Sequence, residues 1–333
     1  MTPFEMGEVL VQPGERLTVE LQVSTLANAT RMNLPVHVVH GVEAGPVMFL
    51  SAVVHGDEIL GLEIVRRVLA QDALKTIKGT LLAVPIVNAF GFLNHSRYMP
   101  DRRDLNRSFP GSDQGSLSSL LADLFFREVV KRSHYGIDLH TAALHRTNLP
   151  QIRMAPDDVE LTKLAEAFAP PVILTSKLRD GSLRQCAGDE GVKVLLFEGG
   201  EALRFDESAI EAGVKGTLRV MKAIGMIDVA PAIPNHHVIT RSSASSWVRA
   251  PEGGILHSVR QPGDRVGLRE PIAIITDPLG TVTVPVFAEE DGIIIGRTNL
   301  PIVNRGDALF HVARIKTKGK VVVQSTPDED EII

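Results

Sequence analysis

Residues 47–54, VMFLSAVV, make an almost wholly apolar run of strand length. A strand with one wet face alternates apolar and polar residues, whereas one that is apolar nearly throughout must be covered on both faces. In a soluble chain that demand is met when helices pack on both sides of a sheet. The following residues supply the first helix: Ile59, Leu62, Val65 and Leu69 recur at helical spacing, with Arg66 and Arg67 outside the stripe.

The alternation continues. Leu17, Val19, Leu21 and Val23 predict a half-buried strand, residues 33–40 a second β segment, and residues 81–87 another buried strand. Leu117, Leu120, Leu121, Leu124 and Phe125 predict a helix face, followed by a short strand over 137–139, a helix over 159–168 and a strand over 193–197. A helix is expected over 206–224, with Asp206 as its N-cap and Gly225 just past its end. The predicted class is α/β, a mainly parallel mixed sheet flanked by helices.

Near residue 230 the pattern changes. Residues 230–235 and 241–246 read as connecting segments, and Trp247 to Ala313 consists of short apolar runs separated by Gly, Pro and Asp with no helical period. A small all-β domain is expected there. It carries a weak repeat, in which Gly254-Ile255-Leu256 leads to Gly263-Asp264 and Gly292-Ile293-Ile294 leads to Gly306-Asp307. This segment resembles a biotinyl/lipoyl-type sandwich. Such carriers hold their cofactor on a lysine, and none occurs between Lys222 and Lys316, so the resemblance extends to fold and not to carrier function. The expected division is a catalytic α/β domain over 1–230, a β-sandwich over 240–318, and an acidic, disordered tail over 319–333.

Composition excludes several classes. The net charge of −5 lacks the basic excess of a nucleic-acid binder. The single cysteine, Cys186, permits no internal disulfide and fits a reducing compartment. The first residues lack the basic and apolar regions of a signal peptide, and no apolar stretch is long enough to span a bilayer. The expectation is a cytoplasmic protein with no membrane or nucleic-acid partner. Oligomeric state is left open: the β domain could shape the site's mouth or form the interface of a homo-oligomer.

Four short polar motifs follow the apolar runs: His55-Gly56-Asp57-Glu58, Asp104-Leu105-Asn106-Arg107, Asp138-Leu139-His140-Thr141 and Glu198-Gly199-Gly200. His55 and Glu58, at i and i+3 where a strand meets a helix, can turn toward one ion, and His140 would complete a His2Glu zinc set. Each also has a plain reading. Asp57 and Glu58 suit a helix start, and His140 could be a buried histidine bonded to Asp138. Glu198, at a strand end, is a candidate general base, and a turn after a strand explains its glycines but not the carboxylate. Arg97, Arg102, Arg103 and Arg107 form a basic stretch in an acidic chain. Arg102 and Arg103 suit a solvated loop, whereas Arg97, Asn106 and Arg107 are the better candidates for holding an anionic substrate. In open α/β sheets, ligands bind beyond the carboxyl ends of strands, and all of these motifs sit there.

As an ordered set, HGDE, DLNRSFPG, DLHT and FEGG resemble the succinylglutamate desuccinylase/aspartoacylase family, a branch of the zinc carboxypeptidase superfamily, over roughly residues 30–225. The resemblance implies a zinc carboxypeptidase-like fold with one zinc per chain on His55, Glu58 and His140. It implies Glu198 as acid/base acting on zinc-bound water, Asn106 and Arg107 on the substrate carboxylate, and Arg97 on the scissile carbonyl or a carboxylate. The segment from Arg97 to Asn106 is longer here than in aspartoacylases, which leaves aspartate specificity and the role of Arg97 open. The expected activity is hydrolysis of the amide of a small N-acyl amino acid. A carboxypeptidase is the alternative, and it lacks support because neither Tyr98 nor Tyr135 lies downstream of Glu198. A non-catalytic metal- or ligand-binding module is the third reading, disfavoured by the complete ligand and base set.

Overall fold

The computed structural model describes residues 1–315 and 320–322. The acidic tail expected over 319–333 lies outside the described residues apart from 320–322. β1 (Phe4–Met6) and β2 (Val9–Val11) form a small hairpin. The main sheet then builds from β3 (Arg16–Thr25), β4 (Arg31–His40), β5 (Glu43–Ala52), β6 (Lys78–Val84), β7 (Tyr135–Ala142), β8 (Arg146–Met154), β9 (Val172–Thr175) and β10 (Lys193–Glu201).

Its centre runs β6-β5-β7-β10, all parallel. Antiparallel strands flank that core, β4 and β3 beside β6, and β8 beside β10. The sheet is therefore mixed, with parallel pairing concentrated where the motifs lie. The inner strands are apolar on both faces because each face has its own core. Met48 and Leu50 of β5 and Leu81 and Ala83 of β6 join one cluster, whereas Phe49, Leu82 and Val84 join the other. Burying a side chain of this size contributes about 1.5–3 kcal/mol.

α1 (Leu60–Leu69), α4 (Val159–Phe168) and α6 (Glu207–Ala223) cover the first face, and α3 (Leu117–Phe125) and α5 (Leu183–Asp189) the second. The short α2 (Ala89–Leu93) follows β6. α6 begins as its sequence predicts: the Asp206 carboxylate accepts from the Ala209 amide, and Gly225 takes a left-handed φ of +76° beyond the end.

The C-terminal strands grow out of this sheet. β8 has two neighbours on its outer edge. Its last residues, 151–154, pair with β9, and its first, 146–148, pair with a strand of the C-terminal region. β11 (Val238–Ser242) pairs with β9 and with β20 (Lys320–Val322). β12 (Ser245–Arg249), β14 (Arg265–Val266), β17 (Gly292–Thr298) and β19 (Ala308–Arg314) extend the edge, and it is β17 that meets β8. β13 (Gly254–Ser258), β15 (Pro271–Thr276), β16 (Thr283–Phe287) and β18 (Ile302–Val303) form a second layer. The two layers share a core that includes Val248, Ile272, Ile275 and Phe310. The all-β character expected for this region holds, and its hydrogen-bonded continuity with the central sheet is new information.

Candidate metal centre

The apolar run after which His55 stands ends earlier as a strand than its composition suggests. β5 stops at Ala52, and Val53, fully buried, takes a left-handed φ of +57°. A β-branched residue there is strained by roughly 1–3 kcal/mol. Asn88 holds the bend: its amide N–H donates to the Val53 carbonyl at 2.9 Å, and its side chain accepts from Gly91 at 2.8 Å. Gly56 lies against that same loop, where an added Cβ would meet the Gly91 carbonyl carbon at 2.0 Å. The turn thus fits only glycine at 56, and it aims His55 and Glu58 inward.

His140 and Glu198 were expected just after strands 137–139 and 193–197. They lie instead within longer strands, in register with one another on β7 and β10. His55, Glu58 and His140 are all at most 4% exposed, and their potential ligand atoms lie within 4.8 Å of one another. Two imidazole nitrogens and a carboxylate oxygen are a suitable donor set for zinc, so the group could hold a metal ion.

The ring orientations fit that role. The Nδ1 atoms of both histidines turn toward Glu58, at 2.7 Å for His55 and 2.8 Å for His140. The Nε2 atoms turn outward to carboxylates: His140 to Asp138 at 2.7 Å and His55 to Asp104 at 3.2 Å. Asp138 also accepts from Ser51 Oγ at 2.7 Å. A carboxylate on the far nitrogen keeps the proton there and leaves Nδ1 free to bind a metal.

Electrostatics agree. Burial alone would strip a proton from His140, but the Asp138 and Glu58 carboxylates outweigh it and raise its pKa well above the imidazole range. Burial likewise opposes protonation of His55, and Glu58 and Asp104 reverse it. Against burial, the two imidazoles hold the Glu58 carboxyl far below the ordinary range. The carboxylates therefore favour positive charge at this centre, and a metal ion would compete with protons for it.

The arginines are divided. Arg97 donates to Glu58 Oε1 at 2.9 Å and to Asp104 Oδ2 at 3.0 Å, which places it at the rim of the centre. Asn106 is buried, and its side-chain oxygen accepts from Leu183 at the start of α5. Arg107 is exposed and folds back to donate to the Asn106 carbonyl. Arg102 and Arg103 are exposed, as expected for a solvated loop.

Glu198 is held by residues that sequence reading passed over. Asn148 Nδ2 donates to its Oε2 at 2.6 Å, and Arg153 Nη1 approaches its Oε1 at 3.4 Å, both from β8. Among the described residues, the buried Nη1 of Arg184 on α5 has no hydrogen-bond partner. Burial and the repulsion of Arg153 lower its pKa to about 10, partly offset by Glu198 and Asp138. A guanidinium with a buried, unpartnered Nη1, close enough to feel the charge of Glu198, is a candidate seat for an anion. One signal for α5 was available: Ser182, three residues before Gln185, caps the helix.

This arrangement has known counterparts. Over 295 residues the chain is 28% identical to an N-alpha-acetyl-L-2,4-diaminobutyric acid deacetylase of Halomonas elongata, covering 85% of this chain and 86% of that protein. It is 27% identical over 225 residues to a succinylglutamate desuccinylase of Pseudomonas aeruginosa, covering 60% and 65%. The fold matches the product-bound ectoine utilization protein EutE of Ruegeria pomeroyi with a TM-score of 0.80 at 21% identity, over 94% of this chain and 99% of that one. Residues 44–224, more than half of the chain and the span from β5 to α6 that carries all four motifs, match the succinylglutamate desuccinylase/aspartoacylase catalytic domain. The chain belongs to the succinylglutamate desuccinylase/aspartoacylase family.

Proposed function

We propose that this protein is a zinc-dependent hydrolase that cleaves the amide bond of a small N-acyl amino acid. The observation that carries the reading is the convergence of His55, Glu58 and His140, with Glu198 in register beside His140 on the next strand. Deacylation is the activity named for both curated relatives, a deacetylase and a desuccinylase. We take residues 1–230 as the catalytic domain and 240–318 as a β domain built onto its edge.

Zinc on these three residues would supply a Lewis acid and lower the pKa of water toward neutrality. Glu198 takes the proton of the attacking water and returns it to the departing amine nitrogen. Arg97, beside Glu58, faces the negative charge that develops on the scissile carbonyl. Asn106 and Arg107 hold the substrate carboxylate, Arg107 by turning from its backbone contact. Arg184 supplies a further buried positive charge for an acidic group of the substrate.

The test begins with elemental analysis of purified protein beside a His55→Ala variant, followed by a panel of acetyl and succinyl amino acids. Stoichiometric zinc that is lost in the variant, together with amide hydrolysis, supports the reading. Glu198→Gln should keep its zinc and lose turnover by roughly 10²–10⁴-fold. No metal after zinc is supplied would overturn the zinc assignment, and near-normal turnover in Glu198→Gln would remove that residue from the chemistry.

A further inference from the structure

Asn148 stands between the candidate base and the C-terminal β region. It lies on β8, 8% exposed, with β10 on one side and β17 on the other. Its amide nitrogen must face Glu198, because an ionised carboxylate offers only acceptors. The 2.6 Å contact to Oε2 is the tight one, whereas Arg153 stands 3.4 Å from Oε1. The carboxylate is thereby held tightly through Oε2 and more loosely, by Arg153, through Oε1.

The opposite side of the amide meets β17. Gly296 is the register partner of Asn148, and a Cβ built on it would lie 2.6 Å from Asn148 Oδ1 and 3.2 Å from the Thr147 carbonyl oxygen. Only a residue without a side chain lets β17 come close enough to back the amide. The β8–β10 pairing is irregular here, shifting register between Glu198 and Gly200, and Gly200 is opposite Asn148. Asn148 therefore reaches Glu198 diagonally across an irregular ladder, and any side chain at position 296 would force its amide to shift.

We propose that Asn148 is a positioning residue for Glu198, and that the C-terminal β domain acts on the reaction through it, with Gly296 as the wall against which the amide rests. The inference rests on the reading of Glu198 as general base. It assigns Oε1 as the oxygen that exchanges the proton and gives the β domain a part in catalysis without a residue in the reaction itself.

The experiment uses the full chain loaded with zinc and the best substrate of the acyl amino acid panel. Asn148→Ala should lower kcat roughly ten- to a hundredfold, as expected for a misplaced catalytic group, with KM within about twofold and zinc content unchanged. Gly296→Ala should lower kcat in the same manner, because its methyl displaces the Asn148 amide. Combining the two should add little to Asn148→Ala alone, since both act through one contact. The Tm lost in Gly296→Ala should also be partly regained in the double variant, which has no amide to clash with. If Asn148→Ala fails to fold, Asn148→Asp has the same shape and sets a second carboxylate against Oε2, so it must lower kcat at least as far. Unchanged kcat in the Asn148 variants, alongside an inactive Glu198→Gln, overturns the positioning role and leaves the base intact. Additive losses in the double variant overturn the link through Gly296. An active Glu198→Gln would instead remove the base reading on which the inference stands.

Discussion

Asp138 gives the sharpest quantitative test of the candidate metal centre. It is 1% exposed, and each oxygen has one partner at 2.7 Å, His140 Nε2 and Ser51 Oγ. Asp138→Asn keeps the shape and still lets an amide oxygen accept from Nε2, but removes the charge that stabilises a metal-bound imidazole. Loss of such an outer carboxylate costs about 10–100-fold in metal affinity, roughly 1.4–2.7 kcal/mol. Asp138→Ala does more: it leaves two buried donors unpaired, at about 1–3 kcal/mol each, so folding stability should fall as well. Asp104 is the internal control. It stands at 3.2 Å from His55 Nε2, its side chain is more exposed, and Arg97 shares it. Zinc competition against a chromophoric chelator near neutral pH should therefore rank Asp138→Asn as weaker than Asp104→Asn, and both as weaker than the parent. Parental affinity in Asp138→Asn would refute the claim that this carboxylate orients a metal ligand.

Three further outcomes follow from single features. Arg184→Met should raise KM for substrates with an acidic group by roughly tenfold or more, the value of a charge-assisted hydrogen bond, and lysine should not fully restore it; an unchanged KM would place the anion elsewhere. Gly56→Ala drives a methyl into the backbone of Gly91 and Phe92, so overpacking of about 1–3 kcal/mol or more should appear as a lowered Tm, and a parental Tm would contradict that close approach. His311 stacks on Trp247 and bonds Ser245, and burial, with Arg153 and Arg146 nearby, pushes its pKa down to about 3. Its folded pKa lies below the unfolded one, so its contribution is complete above about pH 6.5 and is lost as pH falls toward 3, amounting to about 2 kcal/mol at about pH 5. Unfolding of His311→Phe should show that much less difference between neutral and acid pH, and an identical acid response would remove His311 as its source.

The elements legible in the sequence were those whose side chains serve only packing. The strand at 81–87 and the helices at 159–168 and 206–224 bury ordinary apolar faces, and their patterns locate them within a few residues. Val53 shows the reverse: its apolar side chain continues the run of β5, while its backbone has already turned toward His55, and hydrophobicity carries no sign of a dihedral angle. β7 and β10 were predicted too short because His140 and Glu198 look like strand ends, although their polar side chains occupy strand positions facing the site.

β8 was missed for the same reason carried further. Its sequence, RTNLPQIRM, interrupts any apolar alternation with Asn148, Pro150, Gln151 and Arg153. Two of these polar residues reach Glu198, and Gln151 ties β8 to β17 through the Ile295 carbonyl. A strand with the candidate base on one flank and another strand's backbone on the other cannot carry the pattern of a strand that merely covers a core. The motifs were legible because their residue types name a chemistry on their own. Asn148 and Arg184 were not, because asparagine and arginine acquire a role only through what the fold sets beside them.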